Sequence, residues 1–128
     1  LMLINGKRIV FKGVNRHEFS AVNGRCVTRE EMEKDACIIK SLNINAVRTS
    51  HYPNQIPFYY MCDEMGIYMM AETNLESHGS WQKMGAIEPS YNVPGSLPQW
   101  KEAVLDRAKS NYETFKKSYF YIVLVFGK

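Results

Sequence analysis

The sequence predicts an α/β fold assembled from parallel βαβ units. Short apolar runs of strand character alternate with amphipathic segments of helical period, the pattern of parallel strands joined by right-handed helical crossovers. The residues best suited to chemistry then fall together: His17, Glu18, Arg48, His51, Glu76 and His78 all lie at the C-terminal ends of predicted strands. No Gly-x-Gly-x-x-Gly turn follows the first strand, which disfavours a dinucleotide-binding sheet.

The elements follow in order. Leu1 to Ile4 and Arg8 to Phe11 flank Asn5-Gly6, the dipeptide preferred in tight hairpins, and read as two short strands. The second runs on toward Gly13-Val14-Asn15-Arg16-His17-Glu18. Thr28-Arg29-Glu30-Glu31 is a capping box, and Met32, Ala36 and Ile39 recur behind it at helical spacing. Ala46-Val47 forms a short strand core ending in Arg48-Thr49-Ser50-His51-Tyr52-Pro53. A helix from Ile56 to Met65 is closed by Gly66 as its C-terminal cap. The apolar run Ile67-Tyr68-Met69-Met70-Ala71 is the next strand and leads to Glu76 and His78. Residues 79–98 form a long loop broken by Gly79, Gly85, Pro89, Pro94, Gly95 and Pro98. Trp100, Val104, Ala108 and Phe115 mark one face of a helix reaching about Lys116, and Tyr119 to Phe126 is a final apolar run.

Composition narrows the function classes. At 128 residues the chain fits one ordinary domain, and 45% hydrophobic with 23% charged residues suits a globular protein rather than a disordered one. The net charge of +3 comes from 16 basic and 13 acidic residues scattered without a basic stripe, so nucleic acid is not an expected partner. No apolar run approaches the roughly 20 residues of a membrane span, and no secretory signal is visible. Cys26, Cys37 and Cys62 are odd in number and lack CxxC or CxxH spacing, which argues against a disulfide framework or a zinc site. Free thiols fit a cytoplasmic location. The chain begins at Leu1, from which we expect it to have been cut from something longer.

The polar strand ends are the functional signal. In a (β/α)8 barrel the active site is built on that rim. Glu76 and His78 stand two residues apart after an apolar strand, so along an extended chain both side chains point to the same side. A carboxylate and an imidazole directed alike can share a divalent cation or a sugar hydroxyl.

Three motifs carry a resemblance. Gly13-Val14-Asn15-Arg16-His17-Glu18, Ala46-Val47-Arg48-Thr49-Ser50-His51-Tyr52-Pro53-Asn54 and Asn74-Leu75-Glu76-Ser77-His78-Gly79 resemble β-galactosidases of glycoside hydrolase family 2 over residues 1 to about 116. The first two motifs are shared with β-glucuronidases and related members; the third is similar to the β-galactosidase branch. The resemblance implies a partial (β/α)8 TIM barrel, its first three to four βα units in residues 12–116. Residues 1–11 would lead in as a hairpin from a preceding β-sandwich domain. It implies hydrolysis of terminal β-D-galactosides by a retaining mechanism, which uses two carboxyl groups roughly 5 Å apart. Carried over by position, Glu76 and His78 correspond to Mg2+ ligands. His17 and His51 match histidines that bind galactosyl hydroxyls and stabilise the transition state. Arg48 matches an arginine at the same rim that holds the site together. The family's general acid Glu and nucleophilic Glu have no counterpart among these residues, so the isolated chain is expected to be inactive and marginally stable.

Residues 117–128 depart from the family pattern Asn-His-Pro-Ser-Ile-x-x-Trp-Ser-Leu-Gly-Asn-Glu. We expect a frameshift, one surplus A in a run encoding Lys116-Lys117; the DNA of the locus tests this. Two alternatives are open: a non-catalytic module that complements a separately made C-terminal part, and a β-glucuronidase-like specificity. The family commonly assembles into oligomers, so a partner is expected beside the β-galactoside sugar.

Overall fold

Asn5 and Gly6 both take positive φ (50° and 75°), the backbone that a two-residue hairpin loop requires. They join strands β1 (Leu3–Ile4) and β2 (Lys7–Arg8), paired antiparallel with Leu3 opposite Arg8. Both strands are shorter than the sequence suggests, and the chain leaves extended pairing before strand β3 (Gly13–Arg16) begins. In the computed structural model, residues 1–75, 82–83, 86–87, 97–118 and 121–124 are described.

Helix α1 (Arg29–Ser41) starts as its capping box dictates. The Thr28 hydroxyl accepts from Glu31 N (3.3 Å), and the Glu31 carboxylate accepts from Thr28 N (2.8 Å). Met32, Ala36 and Ile39 form its buried stripe. Strand β4 (Ala46–Thr49) follows, then helix α2 (Ile56–Met65), which buries Phe58, Tyr59, Met61 and Cys62. Gly66 ends α2 in the left-handed region (φ 65°, ψ 42°), and Ile67 N donates to Cys62 O, so the last carbonyls of the helix are satisfied. Strand β5 (Tyr68–Glu72) comes at once. Within the stretch expected as an unbroken loop lie two short strands, β6 (Gln82–Lys83) and β7 (Ala86–Ile87), paired antiparallel. Helix α3 (Trp100–Phe115) buries Asn111 and Phe115, with Trp100, Val104 and Ala108 half-buried on the same stripe. Strand β8 (Tyr121–Leu124) then lies within the final apolar run.

The main sheet has the order β3-β4-β5-β8, parallel throughout. Each new strand is added beside the previous one, with a crossover helix before it. A doubly wound sheet would reverse direction after its first strands; this order is an arc of a barrel wall. Among the described residues β3 and β8 are its edges and the sheet does not close. Parallel register aligns Val14, Val47 and Met69, then Arg16, Thr49 and Ala71. Val47, Met69 and Ala71 join the apolar core with the buried stripes of α1 and α2. Phe115 of α3 stacks on Tyr59 of α2 at 3.7 Å, tying the third helix to the same core. Period-two alternation sends the intervening residues to the other face: Gly13, Ala46 and Tyr68 in one row, Asn15, Arg48 and Met70 in the next. These residues line an open depression of about 240 Å³.

Candidate functional site

The C-terminal ends of β3, β4 and β5 form one rim, and the last residue of β3 anchors it. Arg16 lies on the helix side of the sheet. Its Nε donates to Asp35 Oδ2 of α1 (2.9 Å), its Nη1 donates to Asn54 Oδ1 (2.6 Å), and its guanidinium sits 4.0 Å over the Phe58 ring. This buried hub fixes where β3 ends, so His17 emerges at the rim and exposed. Glu18, expected among the rim residues, turns back instead. Its carboxylate pairs with Arg16 (3.5 Å) and accepts from Gln55 N (2.9 and 3.0 Å), just ahead of the first turn of α2. No side chain of Gln55 caps that helix, so Glu18 supplies the negative charge its N-terminus favours.

The centre of the site is a residue that the sequence reading did not single out. Glu72, the last residue of β5, has a side chain only 6% exposed. Its Oε1 accepts from Arg48 Nε and pairs with Arg48 Nη2. Its Oε2 lies 3.1 Å from His51 Nδ1. Arg48 also donates through Nη1 to Asn15 Oδ1 (3.1 Å) and approaches His51 Nδ1 at 3.3 Å through Nη2. Position explains the cluster: Glu72 shares the inward face of β5 with Met70, and Met70 is in register with Arg48. An alternation count along Tyr68, Met70 and Glu72 could have found it. The backbone of Glu72 is held as well, its N–H donating to the Thr49 hydroxyl (2.9 Å) and its carbonyl accepting from Asn111 Nδ2 (3.3 Å).

Through His51 this network borders a second imidazole. His17 meets His51 edge-on with ring centroids 5.3 Å apart, and Tyr52 at 6.4 Å. Tyr52 is itself fixed: its hydroxyl donates to Glu18 O (3.0 Å), and the Arg25 guanidinium lies 4.0 Å over its ring. The structure thus brings together His17, Arg48 and His51 as the sequence predicts, and adds Glu72. Glu76 and His78, the expected metal ligands, lie outside the described residues. Among the described residues no group of three or more His, Cys, Asp or Glu gathers as a metal site.

The arrangement suits recognition more than bond cleavage. Imidazole nitrogens can accept from or donate to hydroxyl groups, and two of them border one rim. Among the described residues two rim carboxylates are engaged, Glu72 by Arg48 and His51 and Glu18 by Arg16 and the start of α2. No helix among the described residues is long and apolar enough to cross a membrane.

Comparison with known proteins gives a consistent picture. Residues 1–123 match the model of the glycosyl hydrolases family 2 TIM barrel domain. Over 116 residues the chain is 66% identical to a β-galactosidase large subunit of Lactobacillus acidophilus, covering 91% of this chain and 18% of that protein. It is 67% identical to a β-galactosidase of Clostridium acetobutylicum over the same length, 13% of that protein. In three dimensions it resembles a β-glucuronidase of Ruminococcus gnavus with a TM-score of 0.77 at 22% identity, over 94% of this chain and 19% of the other. The chain therefore spans less than a fifth of the length of these relatives.

Proposed function

The chain belongs to glycosyl hydrolases family 2 through its TIM barrel domain, and from that premise we propose that it carries the sugar-binding rim of a β-galactosidase. The parent enzyme would hydrolyse terminal β-D-galactosides, lactose among them, with retention. The observation that carries this reading is the pairing of His17 with His51 on a rim locked by Arg48 and Glu72. His17 and His51 would bond galactosyl hydroxyls, and Arg48 would hold the rim together. The retaining mechanism needs one carboxyl group to protonate the leaving oxygen and another to attack the anomeric carbon. Among the described residues Glu18 and Glu72 are both engaged and serve neither part, so the chain alone would be inactive. The identities near two thirds with proteins named β-galactosidase favour galactosides, whereas the likeness to the β-glucuronidase at 22% identity concerns the fold.

Glu76 and His78 would ligate Mg2+. The support is their motif and its place, four and six residues after Glu72 at the end of β5. Mg2+ bound there would supply positive charge to orient and tune a neighbouring acid, while the residues of this chain orient the sugar. Calorimetric titration of the chain with MgCl2 tests this directly. Heat of binding in the unaltered chain that is lost in Glu76→Gln supports it; equal heats in the two exclude it.

A second reading has its own observation. Relatives bear the name large subunit, and the main sheet has edges at β3 and β8 among the described residues. A chain of this kind would complement a separately made C-terminal part, since an open parallel edge seeks a partner strand. Both readings are tested by assaying a chromogenic β-galactoside with the purified chain, and again after co-expression with the C-terminal remainder of the enzyme. No turnover alone and restored turnover together are expected. Robust turnover by the chain alone overturns the inactivity claim. Preference of the complemented enzyme for a β-glucuronide overturns the galactoside assignment.

A further inference from the structure

We propose that Glu72 is a positioning residue that fixes the tautomer of His51, holding the ring hydrogen on Nδ1 and making Nε2 the acceptor nitrogen of the ring. Glu72 and Arg48 make opposite demands on Nδ1. The Glu72 Oε2 atom, 3.1 Å away, can only accept and requires N–H at that position. Arg48 Nη2, 3.3 Å away, can only donate and requires a lone pair there. The carboxylate wins on geometry and on chemistry. It is the nearer partner, its side chain is almost fully buried, and Arg48 already spends Nε and Nη2 on Glu72 Oε1. A neutral imidazole carries a single ring hydrogen, so N–H at Nδ1 makes Nε2 an acceptor. The consequence for recognition rests on the sugar-binding reading above: the partner of His51 would be a hydroxyl that donates.

The inference separates Glu72 from a purely structural ion pair, because the sign of its hydrogen bond matters as well as its presence. Glu72→Gln keeps the shape and reverses that sign. Arg48 has only donors, so the new carboxamide must turn its oxygen to Arg48 and its NH2 to His51 Nδ1. That nitrogen must then become the acceptor, and the ring hydrogen moves to Nε2. Glu72→Asp keeps the acceptor and should keep the original tautomer.

The chain contains three histidines, so long-range 1H–15N correlation spectra of the histidine-labelled chain resolve the question, with His17→Gln and His78→Gln assigning the signals. The measurement is made at a pH of about 9, above the ordinary imidazole range. The unaltered chain is expected to show His51 with N–H at Nδ1, Glu72→Asp the same, and Glu72→Gln N–H at Nε2. Loss of packing alone would also favour Nε2–H, the form a free imidazole prefers in water, so a Glu72→Gln variant counts only where its amide spectrum keeps the dispersion of the folded chain. The unaltered chain decides the matter even where a variant does not fold. A predominantly Nε2–H His51 in it overturns the proposal, as does a folded Glu72→Gln variant that keeps Nδ1–H. No sugar enters this experiment. Failure of galactosides to bind would therefore sink the functional reading and leave the tautomer assignment standing.

Discussion

Removing Arg48 tests whether the rim is held by charge pairing. Arg48→Met keeps the stem and deletes the guanidinium, leaving the Glu72 carboxylate, 6% exposed, with His51 and no cation at Oε1. Orphaning one partner of a fully buried pair costs about 3–5 kcal/mol. Arg48 is itself 30% exposed, so water can enter the vacated space, and the expected cost falls to about 2–3 kcal/mol. Glu72→Leu removes the buried charge and leaves the half-exposed guanidinium near Asn15, at a cost of about 1–2 kcal/mol. In the double variant nothing charged is orphaned, and stability should return to within about 1 kcal/mol of the unaltered chain. The coupling energy is then about 2–5 kcal/mol. Urea unfolding followed by far-ultraviolet circular dichroism measures all four proteins, and the transition midpoints give the differences at equal m. A double variant whose loss equals the sum of the single losses to within about 0.5 kcal/mol would refute the reasoning.

Other consequences follow from the same structure. In the complemented enzyme, His17→Ala and His51→Ala should each lower kcat/KM for a β-galactoside by roughly ten- to a hundredfold, one lost hydrogen bond to substrate; unchanged kinetics would remove them from the site. The Ser20 hydroxyl (2.6 Å) and then Thr28 N–H hold the Glu31 carboxyl below its usual value. The unfolded chain thus binds this proton more readily, so the box stabilises fully above a pH of about 4.5 and fades as pH falls through the lower folded value. Thermal melts from neutral to acid pH should fall less steeply in Glu31→Gln, and parallel slopes would count against the box. Burial pushes the Cys62 thiol up to about 12, whereas Cys26 and Cys37 are exposed. Iodoacetamide should therefore label Cys26 and Cys37 in the native chain and reach Cys62 only on unfolding; rapid labelling at all three would contradict the buried position. Phe58, fully buried beneath Arg16, should cost about 3–5 kcal/mol as Phe58→Ala in the same urea assay, and a cost below about 1 kcal/mol would mean that the hub is not packed as described.

Much of the wall was legible because its signals are local. The Asn5-Gly6 turn, the Thr28–Glu31 box and the Gly66 cap each depend on backbone geometry within a few residues, and each occurs where the sequence places it. The buried stripe Met32, Ala36 and Ile39 follows from helical spacing alone. The strands were harder to bound. β1 and β2 are two residues each, and β5 runs one residue past the apolar stretch, because hydrogen-bonded pairing rather than hydrophobicity sets a strand's end. The short β6–β7 ribbon inside the expected loop carries no long apolar pattern to announce it.

The sequence by itself determined a parallel α/β wall, the helices that cover it, and the presence of His17, Arg48 and His51 at one rim. Those properties follow from local periodicity, from capping chemistry, and from the rule that consecutive parallel strands end on the same side. The tertiary structure alone decided how the rim residues are used. Glu18 lies beside His17 in the chain yet turns away to the start of α2, while Glu72, 24 residues from Arg48, closes the network. Sequence spacing cannot say which buried charge finds which partner. That depends on register between strands, and register exists only once the sheet has formed.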